Sequence, residues 1–195
     1  MLALCWFVLP VLAEGWSLPA LAGETPAEEE VAPSRQAVII LRALAYDGNL
    51  KSRAHGSIDI GVIYKKGHER SELMAATMTK AFGALASTQV SGLPIAVSRL
   101  AFVGAEALGK SVSDGGIDML YVCDGLGAEL GTITEVTRRT KVLSVGSERQ
   151  QVHQGLSLGV FQAEGRTTIV LNLPSSRQEG VAFAADLLRL AAVIR

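Results

Sequence analysis

Gly155-Leu156-Ser157-Leu158-Gly159 is a G-x-S-x-G pattern, the spacing with which a hydrolase exposes a nucleophilic serine on a sharp strand-to-helix turn. The surrounding residues argue against that chemistry. Ser157 falls inside an apolar, strand-like run from Leu156 to Gln162 that leads into a hairpin. His55, His68 and His153 all precede it, so no histidine follows to act as base. The serine and its glycines read instead as small residues that ease strand packing.

Gly125, Gly127 and Gly131 stand at a strand-to-helix junction, the place of a dinucleotide-binding loop. Their spacing is G-x-G-x-x-x-G, and Leu130 occupies the position of the expected third glycine. Asp124 and Glu129 flank the turn, and their charge repels a pyrophosphate from the helix N-terminus. A tight turn followed by a helix with an acid in its first turn is the better reading, so no nucleotide or other cofactor is expected. The three histidines are far apart in sequence, Cys123 has no nearby partner, and no H-x-x-x-H, C-x-x-C or Asp-rich loop occurs. No metal site is expected.

Lys65, Lys66, His68 and Arg70 follow the first strand-like segment, while Asp124 and Ser147 end two others. In an open parallel sheet the loops after the strand C-termini line the crevice that receives ligands. Lys65, Arg70, Asp124, Ser147 and Asn172 therefore form a candidate ligand or partner crevice. Of these, Asn172 is the most structural, because its side-chain amide can tie the following Pro174-Ser175-Ser176 turn. His68 reads as a solvated loop residue.

The elements that must position these residues alternate. Ser34 is expected to cap a helix that runs through Ile39, Ile40, Ala43 and Leu44 to Asp47-Gly48-Asn49. Ser57 to Tyr64 is a short β-branched strand, and Met74, Met78, Ala81, Phe82 and Leu85 then fall on one helical face. The pattern repeats with strands at Ile95 to Leu100, Ile117 to Val122 and Val142 to Val145, and helices at Ala105 to Val112 and Glu129 to Arg138. Such alternation predicts a three-layer α/β/α domain, flavodoxin-like or Rossmann-like, with a mostly parallel sheet. Leu156 to Gln162 and Thr167 to Leu173 are separated by Ala163-Glu164-Gly165-Arg166, a hairpin spacing that adds an antiparallel edge strand. Ser176-Arg177-Gln178-Glu179 has capping-box spacing and is expected to open a final helix carrying Val181, Ala184, Leu187, Leu188, Ala191 and Ile194 toward the core.

Leu2 to Leu12 is an almost unbroken apolar run, followed by Ala20-Leu21-Ala22 before Gly23. This reads as a signal peptide over residues 1–22 that directs the chain to the periplasm. The run is shorter than the ~20 residues that span a bilayer. Residues 23–33 are acidic and contain Pro26 and Pro33, the composition of a flexible linker, and the folded domain occupies residues 34–195. Cleavage removes Cys5 and leaves Cys123 as a lone thiol, which excludes an intramolecular disulfide in the mature chain. Hydrophobic residues make up 49% and charged residues 19% of the chain, with a formal net charge of -1, so a packed core is expected and nucleic acid is not an expected partner.

The C-terminal third carries a further signal: Gly155, an apolar strand, a Glu-Gly-Arg hairpin, a second apolar strand ending in Asn172, Gly180, and Leu187-Leu188-Arg189-Leu190-Ala191. Together with Ile117-Asp118-Met119-Leu120-Tyr121-Val122, it resembles the YfiR-like family across about Arg35 to Arg195. The resemblance implies a periplasmic α/β protein that restrains a membrane-bound diguanylate cyclase through its periplasmic region and so lowers cyclic-di-GMP output. It implies no active site, and the chain is expected not to be an enzyme. The sequence departs from the family at Leu44-Ala45-Tyr46-Asp47-Gly48-Asn49-Leu50, where an aromatic stretch ending in Trp-Pro is frequent. It also lacks the cysteines that pair in some members. Two alternatives stay open: a homodimer, and a solute-binding component of an ABC-type transporter.

Overall fold

The structure, a computed structural model, describes residues 31–163 and 165–195. The expected signal peptide, its cleavage site, Cys5 and the linker up to Glu30 lie outside the described residues, as does Glu164 in the hairpin turn. The alternating pattern becomes α1 (Pro33–Leu44), α2 (Leu50–Arg53), β1 (Ile58–Tyr64), α3 (Glu69–Gly83), β2 (Ile95–Ala101), α4 (Ala105–Asp114) and β3 (Met119–Val122). A 3-10 turn (Gly127–Glu129) leads into α5 (Leu130–Thr140), then β4 (Leu143–Gly146), α6 (Arg149–His153), β5 (Leu158–Ala163) and β6 (Arg166–Asn172). The chain closes with α7 (Leu173–Gln178), α8 (Ala185–Leu190) and β7 (Ala192–Ile194).

One seven-stranded sheet has the order β2-β1-β3-β4-β5-β6-β7, and only the β5–β6 pair is antiparallel. This contains the 2-1-3-4-5 order of a flavodoxin-like sheet, whose strand order reverses between β1 and β3. Side chains alternate across β1 accordingly. Ile58, Ile60 and Val62 pack against α1 and α3, in a cluster that also takes in Met119, Tyr121, Val145 and Val160. Ile63, Leu120 and Val122 pack against Leu108 and Val112 of α4 and Leu130, Ile133 and Val136 of α5. Each such side chain contributes roughly 1.5–3 kcal/mol by leaving water, so two apolar layers around one sheet make one cooperative body. Met78 is core, as its helical spacing implied, and Met74 packs against the same cluster at half-burial.

Two expectations need correction. Helix α1 starts at Pro33 with Ala32 as its cap and no side-chain cap bond, so Ser34 lies inside the helix; proline fits its first turn because that N–H has no intrahelical partner. The C-terminal stretch is not one helix. After α7 the chain extends through Gly180 to Ala184, turns once as α8 and ends as β7, which pairs parallel with β6 so that β6 is not the sheet edge. Glu179 is therefore not the third residue of a capping box. It follows the end of α7 and is fully buried.

Candidate functional site

The loops after β1, β3 and β4 meet at the C-terminal end of the sheet, and hydrogen bonds lace them together. Ser71, in the first turn of α3, accepts from Lys65 N at 3.0 Å and donates from Oγ to Asp124 O at 2.7 Å, joining the β1 and β3 loops. His68 is exposed, as expected of a loop histidine, but it also caps α3, its Nδ1 accepting from Ser71 N at 3.2 Å. Its ring lies over Gly125, where the backbone has φ +76° and an added Cβ would approach the ring to 3.0 Å. Glycine is required there on both counts. On the far side, Gln151 accepts from Ser147 N at 2.9 Å and donates to Cys123 O at 3.1 Å, joining the β4 and β3 ends.

Within this frame Arg70 forms an ion pair with Asp124, its Nε 2.7 Å from Oδ2, with the Asp124 side chain 4% exposed and that of Arg70 72% exposed. Lys65 Nζ pairs instead with Glu129 at 2.9 Å. That pair sits at the N-terminus of α5 beside the glycine turn and neutralises the acid there. Two adjoining depressions, of about 450 and 210 Å3, share Val31, Gln36, Arg70, Met74 and Tyr121. The smaller one also touches Ser147, Glu148 and Phe161. Their floor is held by a buried polar relay in which Tyr121 Oη donates to Gln36 Oε1 and Gln36 Nε2 donates to Val160 O, both at 3.0 Å. Tyr121 is braced edge-on by Phe82, with ring centroids 6.0 Å apart.

Of the candidate crevice residues, the structure brings Arg70, Asp124 and Ser147 together and leaves Lys65 beside them. It does not bring Asn172 there. That side chain accepts from Ser175 N at 3.1 Å as the cap of α7 and donates to Val152 O at 3.0 Å, the turn-tying role its sequence position suggested. Gln36 and Tyr121 were not singled out from sequence. Their only trace is a single glutamine on the apolar side of α1 and one hydroxyl within an otherwise apolar β3.

Ser157 precedes β5 by one residue and has no exposure; its Oγ donates to Glu179 Oε2. The last glycine of its motif is a packing residue, since a Cβ on Gly159 would fall 2.3 Å from the Phe161 ring. Cys123 is buried against the α1–α3 layer, and burial, reinforced by the neighbouring Asp124 charge, pushes its thiol up to about 12. The thiolate is the reactive form. A thiol-specific reagent at pH 8 is therefore expected to leave Cys123 unlabelled in the native protein and to label it fully in denaturant, as read by peptide mass spectrometry.

Among the described residues no group of three or more histidine, cysteine or acidic side chains is placed to hold a metal, and no helix is long and apolar enough to cross a membrane.

The YfiR/HmsC-like family matches residues 52–192, well over half of the chain. The protein belongs to that family. Membership supports a periplasmic regulatory protein, the general class expected from the C-terminal third. No curated relative matches the chain in sequence. Solved structures share the fold. One is an ABC domain in complex with L-Trp from Streptococcus pneumoniae, at TM-score 0.59 and 13% identity, matching 84% of this chain and 60% of its own. A conserved domain protein from Vibrio cholerae has TM-score 0.59 and 12% identity, with 86% and 62% covered. The ligand-free, open form of a substrate-binding protein with adhesive properties from Clostridium difficile has TM-score 0.51 and 16% identity, with 75% and 57% covered. The chain thus spans only about three-fifths of the length of these neighbours. Their likeness is one of fold, a mostly parallel α/β sheet covered by helices.

Proposed function

We propose that this YfiR/HmsC-like protein is exported by its N-terminal leader and restrains an inner-membrane diguanylate cyclase by direct contact with that enzyme's periplasmic region, lowering cyclic-di-GMP output. The family match over residues 52–192 carries the reading. A regulator of this kind acts by binding one state of its partner more tightly than the other, since only differential affinity shifts an equilibrium. The chain works by binding and not by catalysis. What supports this is the state of its one nucleophile motif, where Ser157 is buried and its hydroxyl is committed to Glu179.

A solute-binding role is less well supported. The substrate-binding protein that shares the fold does so at 16% identity, a likeness of architecture alone, whereas the family match is direct. Deleting the gene is expected to raise intracellular cyclic-di-GMP several-fold. Re-expression of the full chain restores the original level, whereas a version lacking residues 1–22 does not. An unchanged cyclic-di-GMP level in the deletion strain would remove the cyclase from the proposal.

A further inference from the structure

We infer that the outer face of α1 is a docking surface for an acidic amphipathic helix of the protein's partner. A surface helix ordinarily turns charged and polar residues away from its core side. Helix α1 departs from that pattern. Gln36, Ala37, Ile40, Leu41 and Leu44 are buried, yet the opposite side carries Val38 and Ile39 half-buried, with Ala45 and Tyr46 exposed just beyond the helix end. The charged side chains of α1 are Arg35 and Arg42, both exposed. Among the described residues neither guanidinium has an ion-pair or hydrogen-bond partner.

Positions 35, 38, 39, 42, 45 and 46 recur at three-and-four spacing, so they form one stripe along the helix. Two turns separate the arginines, about 10.5 Å along the axis. Two adjoining depressions, of about 460 and 290 Å3, open on this stripe and share Val38 and Arg42. The second lies between α1 and the segment after α3, with Leu41, Leu85 and Val90 in its walls. Their combined lining holds two arginines and no acid. An occupant that complements it supplies carboxylates seven residues apart with apolar side chains between them, which is the geometry of an amphipathic helix laid in a groove. A membrane surface fits less well. Anionic bilayers are recognised by clusters on the order of four to eight basic side chains, and depressions at fixed spacing receive side chains better than a plane of headgroups. The inference rests on the regulatory reading above only in taking the restrained protein as the partner.

The test uses a fluorescent helical peptide of about 15 residues, stapled because isolated helices of that length are marginal. It carries two glutamates seven residues apart with leucine and alanine between them, and its counterpart has lysines in place of the glutamates. Anisotropy titration of the purified protein is expected to show saturable binding of the glutamate peptide and about tenfold weaker binding of the lysine peptide. Arg35→Glu/Arg42→Glu is expected to reverse that preference. Lys110→Glu/Arg139→Glu, which changes exposed residues of α4 and α5 on the other side of the sheet, is expected to leave it unchanged. A damaged fold loses both peptides, so the reversal reports the surface itself, and the comparison of the two peptides on the parent protein needs no variant. Equal affinity for the two peptides, the parent's preference in Arg35→Glu/Arg42→Glu, or binding to phosphatidylglycerol vesicles in place of the peptide would each overturn the assignment. An unchanged cyclic-di-GMP level in the deletion strain, with the glutamate peptide bound, removes the cyclase and leaves the docking face. A raised level with no peptide binding removes the face and leaves the cyclase.

Discussion

Exchange of Glu179 for alanine is expected to destabilise the fold by about 4 kcal/mol, whereas exchange for glutamine is expected to be nearly neutral. The carboxyl lies between α5, β4 and the start of β5 with no solvent exposure. Its Oε1 is 2.7 Å from both Thr137 Oγ1 and Ser144 Oγ, and its Oε2 accepts from Ser144 N at 2.9 Å and from Ser157 Oγ. Removing it takes the acceptor from the Ser144 N–H and the Ser157 hydroxyl and one of two partners from each of the Thr137 and Ser144 hydroxyls, and each unpaired buried group costs about 1–3 kcal/mol, with incomplete additivity.

Glutamine can reproduce the pattern of the neutral acid. Thr137 Oγ1 has Thr134 O as a second acceptor at 3.2 Å, and Ser144 Oγ accepts from Ser157 N at 3.0 Å. Thr137 Oγ1 is thus free to receive a proton from position 179, and Ser144 Oγ keeps a donor in Ser157 N. Urea unfolding of the two variants against the parent distinguishes them. A Glu179→Ala midpoint equal to the parent's would show that the carboxyl bears no structural load.

The same carboxyl predicts a pH dependence. Burial raises Glu179 above its usual 4.5, and the hydrogen bonds from Ser157, Ser144 and Thr137 offset only part of that. In the unfolded chain the proton leaves near 4.5, while in the folded chain it is held to higher pH. The folded state then binds more protons, so stability falls as pH rises from about 4.5 toward the folded value. The slope is at most about 1.4 kcal/mol per pH unit and vanishes outside that window. Glu179→Gln removes this slope. Its stability relative to the parent is expected to grow with pH across the window, and parallel curves for the two proteins would refute a raised Glu179.

What the sequence displays is periodicity, and periodicity determines the layers. The β1 residues Ile58, Ile60 and Val62 and the α3 residues Met78 and Phe82 announce their faces through spacing alone. The loops that gather Arg70, Asp124 and Ser147 follow from a parallel sheet, since each comes after a strand C-terminus. Polar contacts that bridge distant segments leave no such pattern. Gln36 reaches Val160 across 124 residues and Glu179 reaches Ser144 across 35, and neither pairing has a local signature. The C-terminus departs from its helical spacing for a related reason. Leu187, Leu188 and Ala191 have helical spacing, but a six-residue α8 suffices to satisfy it, and β6 offered an unpaired edge that β7 fills. Local spacing lost to the hydrogen bonds of the sheet edge.

Asp47 illustrates the point most strongly, because in sequence it only stops a helix, yet in the structure it holds the C-terminal segment on the body. Its side chain has no exposure; Oδ2 pairs with Arg53 Nη2 at 2.6 Å, and Oδ1 accepts from Asn49 N at 3.0 Å and from Ala182 N at 2.9 Å. Around it Gly48 N donates to Ala182 O, Ala184 N donates to Tyr46 O, and Asn49 Nδ2 donates to Gly180 O, each at 2.9 Å. Those contacts seat Val181, Phe183 and Leu187 in the layer below the sheet. Asp47→Ala leaves two amides without their acceptor and removes the charge partner of a largely buried guanidinium whose Nη1 still donates to Lys141 O and Asp118 O, a change expected to cost about 3 kcal/mol. Asp47→Asn keeps an oxygen for the two amides but turns its amide toward Arg53, so a loss of about half that size is expected. Hydrogen exchange gives the sharper readout. The amides of Ala182 and Ala184 are expected to lose protection in Asp47→Ala well before those of β1 and β3, because the segment detaches while the sheet persists. Wild-type protection at Ala182 in that variant would mean that the apolar side chains of the segment, and not Asp47, keep it in place.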